Sequence, residues 1–401
     1  MYKNNPIILA FSGGLDTSFC IPWLQENYNR DIITVTVDTG GLSASDRELL
    51  KEKSHKLGAC EHVLIDAKEE FFEETVKYLI FGNVKKGNLY PLSVGAERST
   101  QAKKLAAFAI EHGLYTIAHG CTAAGNDQVR FEIILKALLD DIEILAPIRD
   151  HNWQRKDQVN YLTKHNMPVP SKGSNYSVNK GLWGVTIGGM ETLTSETVIP
   201  DDAWALSANA LNAPSAKETH TITFKKGVPY ELNDKPYKPI EIIEALEELG
   251  AKFGIGRGIH LGDTIIGTKG RVAFEAPAAE IIIATHRELE KLTLSGLQLK
   301  QKDLLAMFYG DYIHEGKTLD PVCRDIEAFL ESSQKHVTGK VSFTLRMGSI
   351  FINGSSSKYS LMAASKSTYG EAASEWTARD ALGFTNIQSL PGIFQSRVKE
   401  K

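Results

Sequence analysis

The sequence predicts an α/β protein in which a doubly wound, mostly parallel sheet is followed by an α+β domain and a C-terminal arm. Three observations support this prediction. The first 150 of the 401 residues alternate between apolar runs and helical patterns, which is typical of a parallel sheet with helices on both faces. That alternation stops after about residue 165. Roughly the last 30 residues lack a core pattern of their own, and we expect them to pack on another subunit.

The apolar runs of the first part are short and rich in β-branched residues, as buried strands are. They cover Pro6–Phe11, Ile32–Val37, His62–Asp66, Tyr115–His119 and Ile142–Ala146. Helices are predicted between them at 45–58, 68–81, 98–112 and 127–140, the first opened by a capping box from Ser45 to Glu48. Right-handed crossovers place the loops that follow the strands along one edge of the sheet, where ligands bind.

The second part mixes short strands with long helices and is predicted to be an α+β domain. Strands are expected at 221–225, 264–268 and 271–275, helices at 239–250, 277–292 and 298–313, and a hairpin at 341–353. A connecting segment precedes it, marked by Pro168, Pro170, Lys172, Gly173 and Ser174. The sequence therefore predicts domains at 1–167 and 168–365, and an oligomerisation arm at 366–401.

Composition excludes several classes of protein. The net charge is −4 and there is no strongly basic segment, so a nucleic-acid partner is not expected. No run approaches the ~20 apolar residues of a membrane span, and the first residues do not resemble a signal peptide. The cysteines (Cys20, Cys60, Cys121 and Cys323) form no CxxC pair, which argues against a zinc site or a disulfide framework. We expect reduced thiols and a cytoplasmic location.

The segment Ala10–Ser18, AFSGGLDTS, follows the first strand and opens a helix. Glycines allow close approach of the backbone to a ligand, the hydroxyl groups are donors, and a helix N-terminus attracts anions. The segment is therefore a candidate phosphate loop, although it is neither a Walker A motif nor a GxGxxG fingerprint. Asp16 repels phosphate, so it either caps the helix or helps to hold Mg²⁺ against the phosphates.

A second segment, His119–Glu132, starts at a strand end and enters a helix through a glycine-containing loop. Asp127 and Arg130 are three residues apart and face the same side of that helix. With Asn126, they provide an amide, a carboxylate and a guanidinium, which suit the ammonium and carboxylate groups of amino acids.

SGGLDTS resembles the pyrophosphate loop of the PP-loop ATP pyrophosphatases, and GNDQVRFE resembles the signature of the argininosuccinate synthases. Tyr90–Leu92, Ser177–Gly184, Phe224–Pro229 and Gly254–Arg257 also match that family, in its order. The resemblance implies an ATP-dependent ligase of arginine biosynthesis and a homotetramer. The ureido oxygen of citrulline attacks the α-phosphate of MgATP, pyrophosphate leaves, and the α-amine of aspartate then displaces AMP.

The resemblance also implies roles for individual residues. The residues that it implies to be catalytic are Ser12, Asp16, Asp127 and Arg130. ATP would be held by Ala10, Phe11, Ser12, Gly13, Gly14, Leu15, Asp16, Thr17, Ser18, Val37 and Gly120. The two amino-acid substrates would be held by Tyr90, Thr122, Asn126, Asp127, Arg130, Ser177 and Thr186. Nothing in the sequence identifies the ligands of the metal.

This chain departs from the family at several positions. The loop Thr122–Asp127 has alanines where the family has a Gly-Lys pair, so a lysine near the phosphates is missing. Alignment on Gly256 and Arg257 places Gly262 and Phe274 where the family has a Glu and a Tyr near the amino-acid end of citrulline. Losing a carboxylate removes a charge-assisted contact of roughly 1.5–3 kcal/mol to an α-ammonium group.

Four alternatives remain open. One is the same chemistry on an N-acylated citrulline, such as N-acetyl- or N-succinylcitrulline. In the plainer alternative, Asp263 or His260 does the work of the missing Glu and the acceptor is citrulline. More remote are a tRNA-modifying PP-loop enzyme, which needs reactive cysteines and a basic face, and a nucleotide-binding module that has lost activity.

Overall fold

The computed structural model describes residues 5–169, 176–208, 210–212 and 216–399. Of the predicted connecting segment, Pro170, Lys172, Gly173 and Ser174 lie outside the described residues. No helix within those ranges is long and apolar enough to cross a membrane.

The first part of the chain forms a parallel five-stranded sheet in the order β3-β2-β1-β4-β5. Its strands are β1 (Ile7–Ala10), β2 (Ile32–Asp38), β3 (Glu61–Asp66), β4 (Thr116–Ala118) and β5 (Glu143–Leu145). Its helices are α1 (Leu15–Tyr28), α2 (Ala44–Lys56), α3 (Lys68–Phe71), α4 (Lys77–Gly82), α5 (Glu97–His112), α6 (Asp127–Leu138), α7 (Pro147–Asp150) and α8 (Arg155–Lys164). The predicted strands and the doubly wound architecture are confirmed.

Helices cover both faces of this sheet because its strands are apolar on both sides. Ile7 and Leu9 of β1 pack in one cluster with α1, α7 and α8, while Ile8 between them packs in another with α5 and α6. Such two-sided burial is typical of parallel strands. The predicted helix at 68–81 is interrupted by a π-helical turn, Phe72–Val76, between α3 and α4.

The start of α2 differs from the prediction. The capping box is made by Ser43 and Asp46 rather than Ser45 and Glu48: the Ser43 hydroxyl accepts from Asp46 N, and Ser43 N donates to the Asp46 carboxylate. Both pairs are three residues apart with suitable side chains. The choice between them depends on where the loop after β2 turns, which the local sequence does not show.

The second part contains two antiparallel sheets, in the orders β10-β9-β8-β13-β14 and β11-β12-β7-β6. Their strands are β6 (Ser177–Gly181), β7 (Gly184–Gly188), β8 (Glu218–Lys225), β9 (Val228–Leu232), β10 (Lys235–Pro236), β11 (Arg257–Asp263), β12 (Lys269–Glu275), β13 (Gly339–Arg346) and β14 (Ser349–Ser356). The helices are α9 (Pro239–Lys252), α10 (Pro277–Thr293), α11 (Gly296–His314), α12 (Pro321–Ser333), α13 (Leu361–Ala364) and α14 (Ala378–Lys399). An α+β fold is confirmed here.

One strand prediction in this part is wrong. Residues 264–268 form the turn between β11 and β12, not a strand. The apolar pair Ile265-Ile266 suggests a strand, but the tip closes on itself: Thr264 N donates to Thr268 O and Gly267 N donates to Thr264 O. The true strands on either side contain Gly258, Gly262 and Gly270, and glycine weakens a strand pattern.

The two parts share a core. Phe71 to Ala96 contribute side chains to the same apolar cluster as Trp183, Phe224 and the helices α9 and α10. A separate buried ion pair, Lys302 Nζ to Glu290 Oε2 at 3.0 Å, lies nearby, and the same ammonium donates to Phe81 O. The first part is thus fixed to the second by helix α4, and the boundary at 167/168 stays a prediction.

Candidate active site

A cavity of about 1520 Å³ lies at the carboxyl edge of the parallel sheet. One wall is the parallel sheet with its loops, and the opposite wall is the sheet that contains β6, β7, β11 and β12. Of the site residues predicted from sequence, the following line it: Ala10, Phe11, Ser12, Gly14, Leu15, Asp16, Thr17, Val37, Tyr90, Gly120, Thr122, Asn126, Asp127, Arg130, Ser177 and Thr186. Gly13 and Ser18 do not, and the Ser18 hydroxyl donates to Gly13 O instead.

The phosphate loop is shaped by its own backbone and hydroxyl groups. Gly13 has φ +72°, a conformation that glycine adopts without strain. Gly14 caps α1, and the helix has no side-chain cap, so its first N–H groups face the cavity. Asp16 therefore does not cap this helix. Thr17 Oγ1 lies 3.3 Å from Ser12 Oγ and 3.4 Å from Ser12 N, which holds the turn together.

Two neighbouring segments hold this loop in place. Lys53 of α2 donates to Gly13 O, and burial lowers the pKa of its ammonium group. Gly120, after β4, packs directly on the start of α1: a Cβ at this position would lie 3.1 Å from Thr17 N. A larger residue here would require the start of α1 to shift by a few tenths of an ångström, because Cβ contacts are rarely so short. Lys53 was missed by the sequence analysis, since a lysine on a polar helix is usually solvated.

The second predicted segment is organised around the Asp127 carboxylate. Asp127 Oδ1 accepts from Arg130 Nη1 at 2.6 Å, and Oδ2 accepts from Arg98 Nε at 3.0 Å. Burial alone raises the pKa of Asp127, but the two guanidinium groups lower it to about 2. Asp127 is therefore a carboxylate with both oxygens engaged. Arg98, on the first turn of α5, was missed because its sequence context shows only a helix start.

Arg130 is held from both parts of the chain. Its Nε donates to His314 O at 2.7 Å, and its Nη2 lies 3.2 Å from His314 Nδ1, at the end of α11. Burial and the neighbouring Arg130 charge lower the pKa of His314 to about 3. The imidazole is therefore neutral and accepts from the guanidinium. Arg130 is 5% exposed and lines the cavity beside Gly95.

A further carboxyl group, Glu97, lies behind Arg98 and is 2% exposed. Its Oε1 accepts from Arg98 Nη1 at 2.9 Å and its Oε2 accepts from Thr39 Oγ1 at 2.9 Å. Burial raises the pKa of Glu97 to about 7 despite the Arg98 charge. Arg98 is shared between the two carboxyl groups, and Asp127 has Arg130 as a second cation. Asp127 is therefore ionised more readily than Glu97.

The opposite wall carries the remaining predicted residues on one face. Thr186 of β7 pairs with Asn179 of β6 and with Phe274 of β12, and Ser177 lies two residues before Asn179. Alternation places these side chains on the same side of the sheet. Tyr90 faces them, 5% exposed, with its ring 5.1 Å from Phe274 and 5.7 Å from His260.

Asn126 links the two walls. As N-cap of α6 it accepts, through Oδ1, a 2.9 Å hydrogen bond from Ile265 N at the tip of the β11–β12 hairpin. Its Nδ2 has no partner among the residues the structure describes, so both N–H donors of this group remain for a ligand. The hairpin tip is thereby attached to the segment that contains Asp127.

Comparison with known proteins identifies the family. The N-terminal HUP domain of arginosuccinate synthase matches residues 6–168, and the C-terminal domain of arginosuccinate synthase matches residues 176–394. A solved chain described as a predicted subunit of tRNA methyltransferase from Methanocaldococcus jannaschii covers 39% of this chain and 75% of its own length. At 16% identity and a TM-score of 0.28, it carries no argument.

Curated relatives match over nearly their full length. The argininosuccinate synthase of Staphylococcus saprophyticus is 37% identical over 96% of this chain and 95% of its own. The one from Dictyoglomus thermophilum is 38% identical over 97% and 96%, and the one from Methanocaldococcus jannaschii is 35% identical over 98% and 99%. The predicted family is confirmed, and the tRNA-modifying alternative is not supported. This chain belongs to the argininosuccinate synthase family of ATP-dependent ligases.

Proposed function

We propose that this cavity adenylates the ureido oxygen of a citrulline-type acceptor with MgATP and then joins the acceptor to aspartate. The observation that carries the proposal is the convergence of the phosphate loop and the Asp127 segment on one cavity. The loop presents free N–H groups, and the second segment presents amide and guanidinium donors. An anion and two amino acids can therefore lie side by side.

In the first step, the ureido oxygen attacks the α-phosphorus and the bond to the β-phosphate oxygen breaks, so pyrophosphate leaves with the electron pair. The N-terminus of α1 and the hydroxyls of Ser12 and Thr17 are placed to stabilise the phosphate charge. Val37 and Ala10 would flank the adenine, and Gly120 lets the nucleotide approach α1. The rate gain comes from positioning rather than from a protein nucleophile.

In the second step, the α-amine of aspartate forms a bond to the ureido carbon, and the carbon–oxygen bond to AMP breaks. Thr122, Asn126 and Asp127 would hold aspartate, while Arg130, Tyr90, Ser177 and Thr186 would hold the acceptor. Because Arg98 and Arg130 fix both oxygens of Asp127, this carboxylate is already oriented before substrate arrives.

The donor set fits Mg²⁺ when the ion arrives with ATP. Among the described residues, no group of three or more His, Cys, Asp or Glu side chains could hold a metal ion alone. Asp16, however, lines the cavity at the start of α1 and has no ion-pair partner in the described chain. Mg²⁺ is usually held by one or two carboxylates together with phosphate oxygens. Asp16 would hold the ion, which neutralises phosphate charge.

The arm would complete a homotetramer in the cytoplasm. Helix α14 exposes large apolar side chains, with Leu382 61%, Phe384 64%, Ile387 66% and Val398 71% exposed. Such a surface is typical of a protein–protein contact. Light scattering is expected to give four times the chain mass, and removal of residues 378–401 is expected to lower it. A monomeric full chain would contradict this assembly.

A second candidate acceptor is an N-acylated citrulline, and one observation favours it. The buried carboxylates that line the acceptor end of the cavity are already paired, Asp127 with Arg98 and Arg130, and Glu97 with Arg98. Asp263 forms only an exposed surface pair with Lys269. Within the described residues, no buried carboxylate at this end is left to meet an α-ammonium group. Gly262 lines the cavity without a side chain, and Phe274 is buried beneath Tyr90.

The test is pyrophosphate release by purified protein from MgATP and aspartate, with citrulline, N-acetylcitrulline and N-succinylcitrulline supplied in turn. Mass spectrometry identifies the condensed product. Aspartate-dependent release with any of the three supports the proposed chemistry, and the preferred acceptor decides between the two candidates. No release with any acceptor, while ATP still binds, would mean that the chain is a non-catalytic nucleotide-binding protein.

A further inference from the structure

His260 occupies the cavity face of the β11–β12 hairpin. The hairpin register pairs Gly258 with Phe274, His260 with Val272 and Gly262 with Gly270. These residues share one face, because alternate residues of a strand point the same way. On that face only His260 can form polar side-chain contacts. Its ring stacks on Tyr90 with centroids 5.7 Å apart and planes 22° apart.

The imidazole covers the space that a side chain at residue 262 would take. A Cβ built on Gly262 would lie 2.6 Å from His260 Nε2, far too short for a real contact. On its other side, a Cβ at Gly87 would lie 3.2 Å from His260 Cε1. Glycine at residue 262 therefore leaves room for the ring, which lies against the point where the side chain expected at 262 would begin.

The environment keeps this ring neutral. Burial and the nearby Lys86 ammonium lower the pKa of His260. Within the described chain, neither ring nitrogen has a hydrogen-bond partner. A neutral imidazole has one donor and one acceptor. An amide also has one donor, its N–H, and one acceptor, its carbonyl oxygen, so it complements the imidazole. An ammonium group only donates, and a neutral imidazole does not compensate its charge.

We propose that His260 contacts the α-nitrogen end of the acceptor through neutral hydrogen bonds, and thereby selects an acceptor whose α-amine is acylated. This inference rests on the proposed function and names the residue that sets its substrate class. His260 determines specificity and takes no part in the chemical steps. It stands where a carboxylate would serve an α-ammonium group, and Gly262 makes room for it.

The first experiment compares H260A, H260Q and the wild type with citrulline, N-acetylcitrulline and N-succinylcitrulline. Losing one neutral hydrogen bond is expected to lower kcat/KM for the preferred acylated acceptor by about 3- to 10-fold. KM for ATP should stay unchanged, and H260Q should recover part of the loss because its amide also donates and accepts. L261A is the control, since Leu261 is 56% exposed on the opposite face.

The second experiment restores a carboxylate. G262E alone places its side chain against the imidazole, whereas H260A/G262E provides both the space and the charge. The double variant is expected to turn over citrulline at least about 10-fold better, relative to acylated citrulline, than the wild type does. Thermal unfolding of each variant separates a folding defect from a change of specificity.

The outcomes separate this inference from the proposed function. If no acceptor supports pyrophosphate release in the wild type, the proposed function fails. If the wild type prefers citrulline, or if H260A lowers activity with all acceptors equally without rescue by H260Q, the chemistry stands and the role of His260 is wrong. A loss confined to acylated acceptors, with partial rescue, supports it.

Discussion

Replacing Arg98 by glutamine tests the charge arrangement behind the site. The substitution removes the cation that Asp127 and Glu97 share. Asp127 keeps Arg130 at 2.6 Å and stays ionised. Glu97 loses its partner while remaining buried, so its pKa rises further above the value of about 7 that burial already gives it. Stability should therefore become more dependent on pH.

The sign follows from the raised pKa. The folded state holds the Glu97 proton more tightly than the unfolded state, whose pKa is near 4.5. This contribution to stability is complete below the unfolded pKa and is lost as pH rises through the folded pKa. Between pH 6 and 8 the wild type should lose about 1.4 kcal/mol from this group. R98Q should lose more, up to a limit of about 3 kcal/mol if Glu97 stays protonated across the whole range, at ~1.4 kcal/mol for each proton and pH unit.

The assay is urea unfolding at pH 6, 7 and 8 of the wild type, R98Q, E97Q and E97Q/R98Q. Both variants that lack the Glu97 carboxyl should show no extra slope, because the titrating group is gone. R98Q should also lose activity, since Asp127 is held from one side only. If R98Q and E97Q/R98Q have the same pH slope, Glu97 is not the titrating group and the account of this cluster is refuted.

Three further substitutions test packing and capping. K302M should destabilise the folded protein by about 3–5 kcal/mol in urea unfolding, since it leaves the fully buried Glu290 without its cation. The double variant K302M/E290Q should recover part of this stability. If K302M and K302M/E290Q lost the same stability, the pairing would be contradicted. G120A should raise KM for ATP at least several-fold, because the added Cβ lies 3.1 Å from Thr17 N and pushes against the phosphate loop. An unchanged KM for ATP would show that the loop can shift to make room. S43A should cost about 0.5–2 kcal/mol through the lost cap of α2, whereas S45A, as the matched control, should cost less.

The parallel-sheet part was predictable because its signals are local. Strands such as Ile32–Asp38 are buried along their whole length, and a run of β-branched residues shows this directly. The phosphate loop was equally clear, since glycines, hydroxyls and a helix start occur together. Strand β12 was also predicted, at 271–275, two residues short of its observed start at Lys269. Strand β11 was not predictable in this way, because Gly258 and Gly262 interrupt its apolar pattern.

Contacts between distant segments were also beyond the sequence. Arg98 meets Asp127 across 29 positions, and Arg130 meets His314 across 184. No local pattern distinguishes Arg98 or His314 from ordinary helix-end residues. The family resemblance supplied Asp127 and Arg130 but not their partners, so the charge arrangement that orients them became visible only in three dimensions.

The departures from the family lie in the loop Thr122–Asp127 and at residues 262 and 274. The phosphate loop Ala10–Ser18 keeps its full motif, and Gly120 packs closely on α1. In the proposed function, the nucleotide would be contacted by backbone N–H groups at the start of α1, and a change of side chain does not remove such groups. In citrulline, by contrast, several carbon atoms separate the α-nitrogen from the reacting ureido group, and the contact proposed for it is made by a side chain, that of His260. In the proposed role of His260, exchanging a carboxylate for the Gly262–His260 pair would alter which acceptor is bound without changing the phosphate loop. Substrate choice can therefore change in this fold while the adenylation chemistry stays the same.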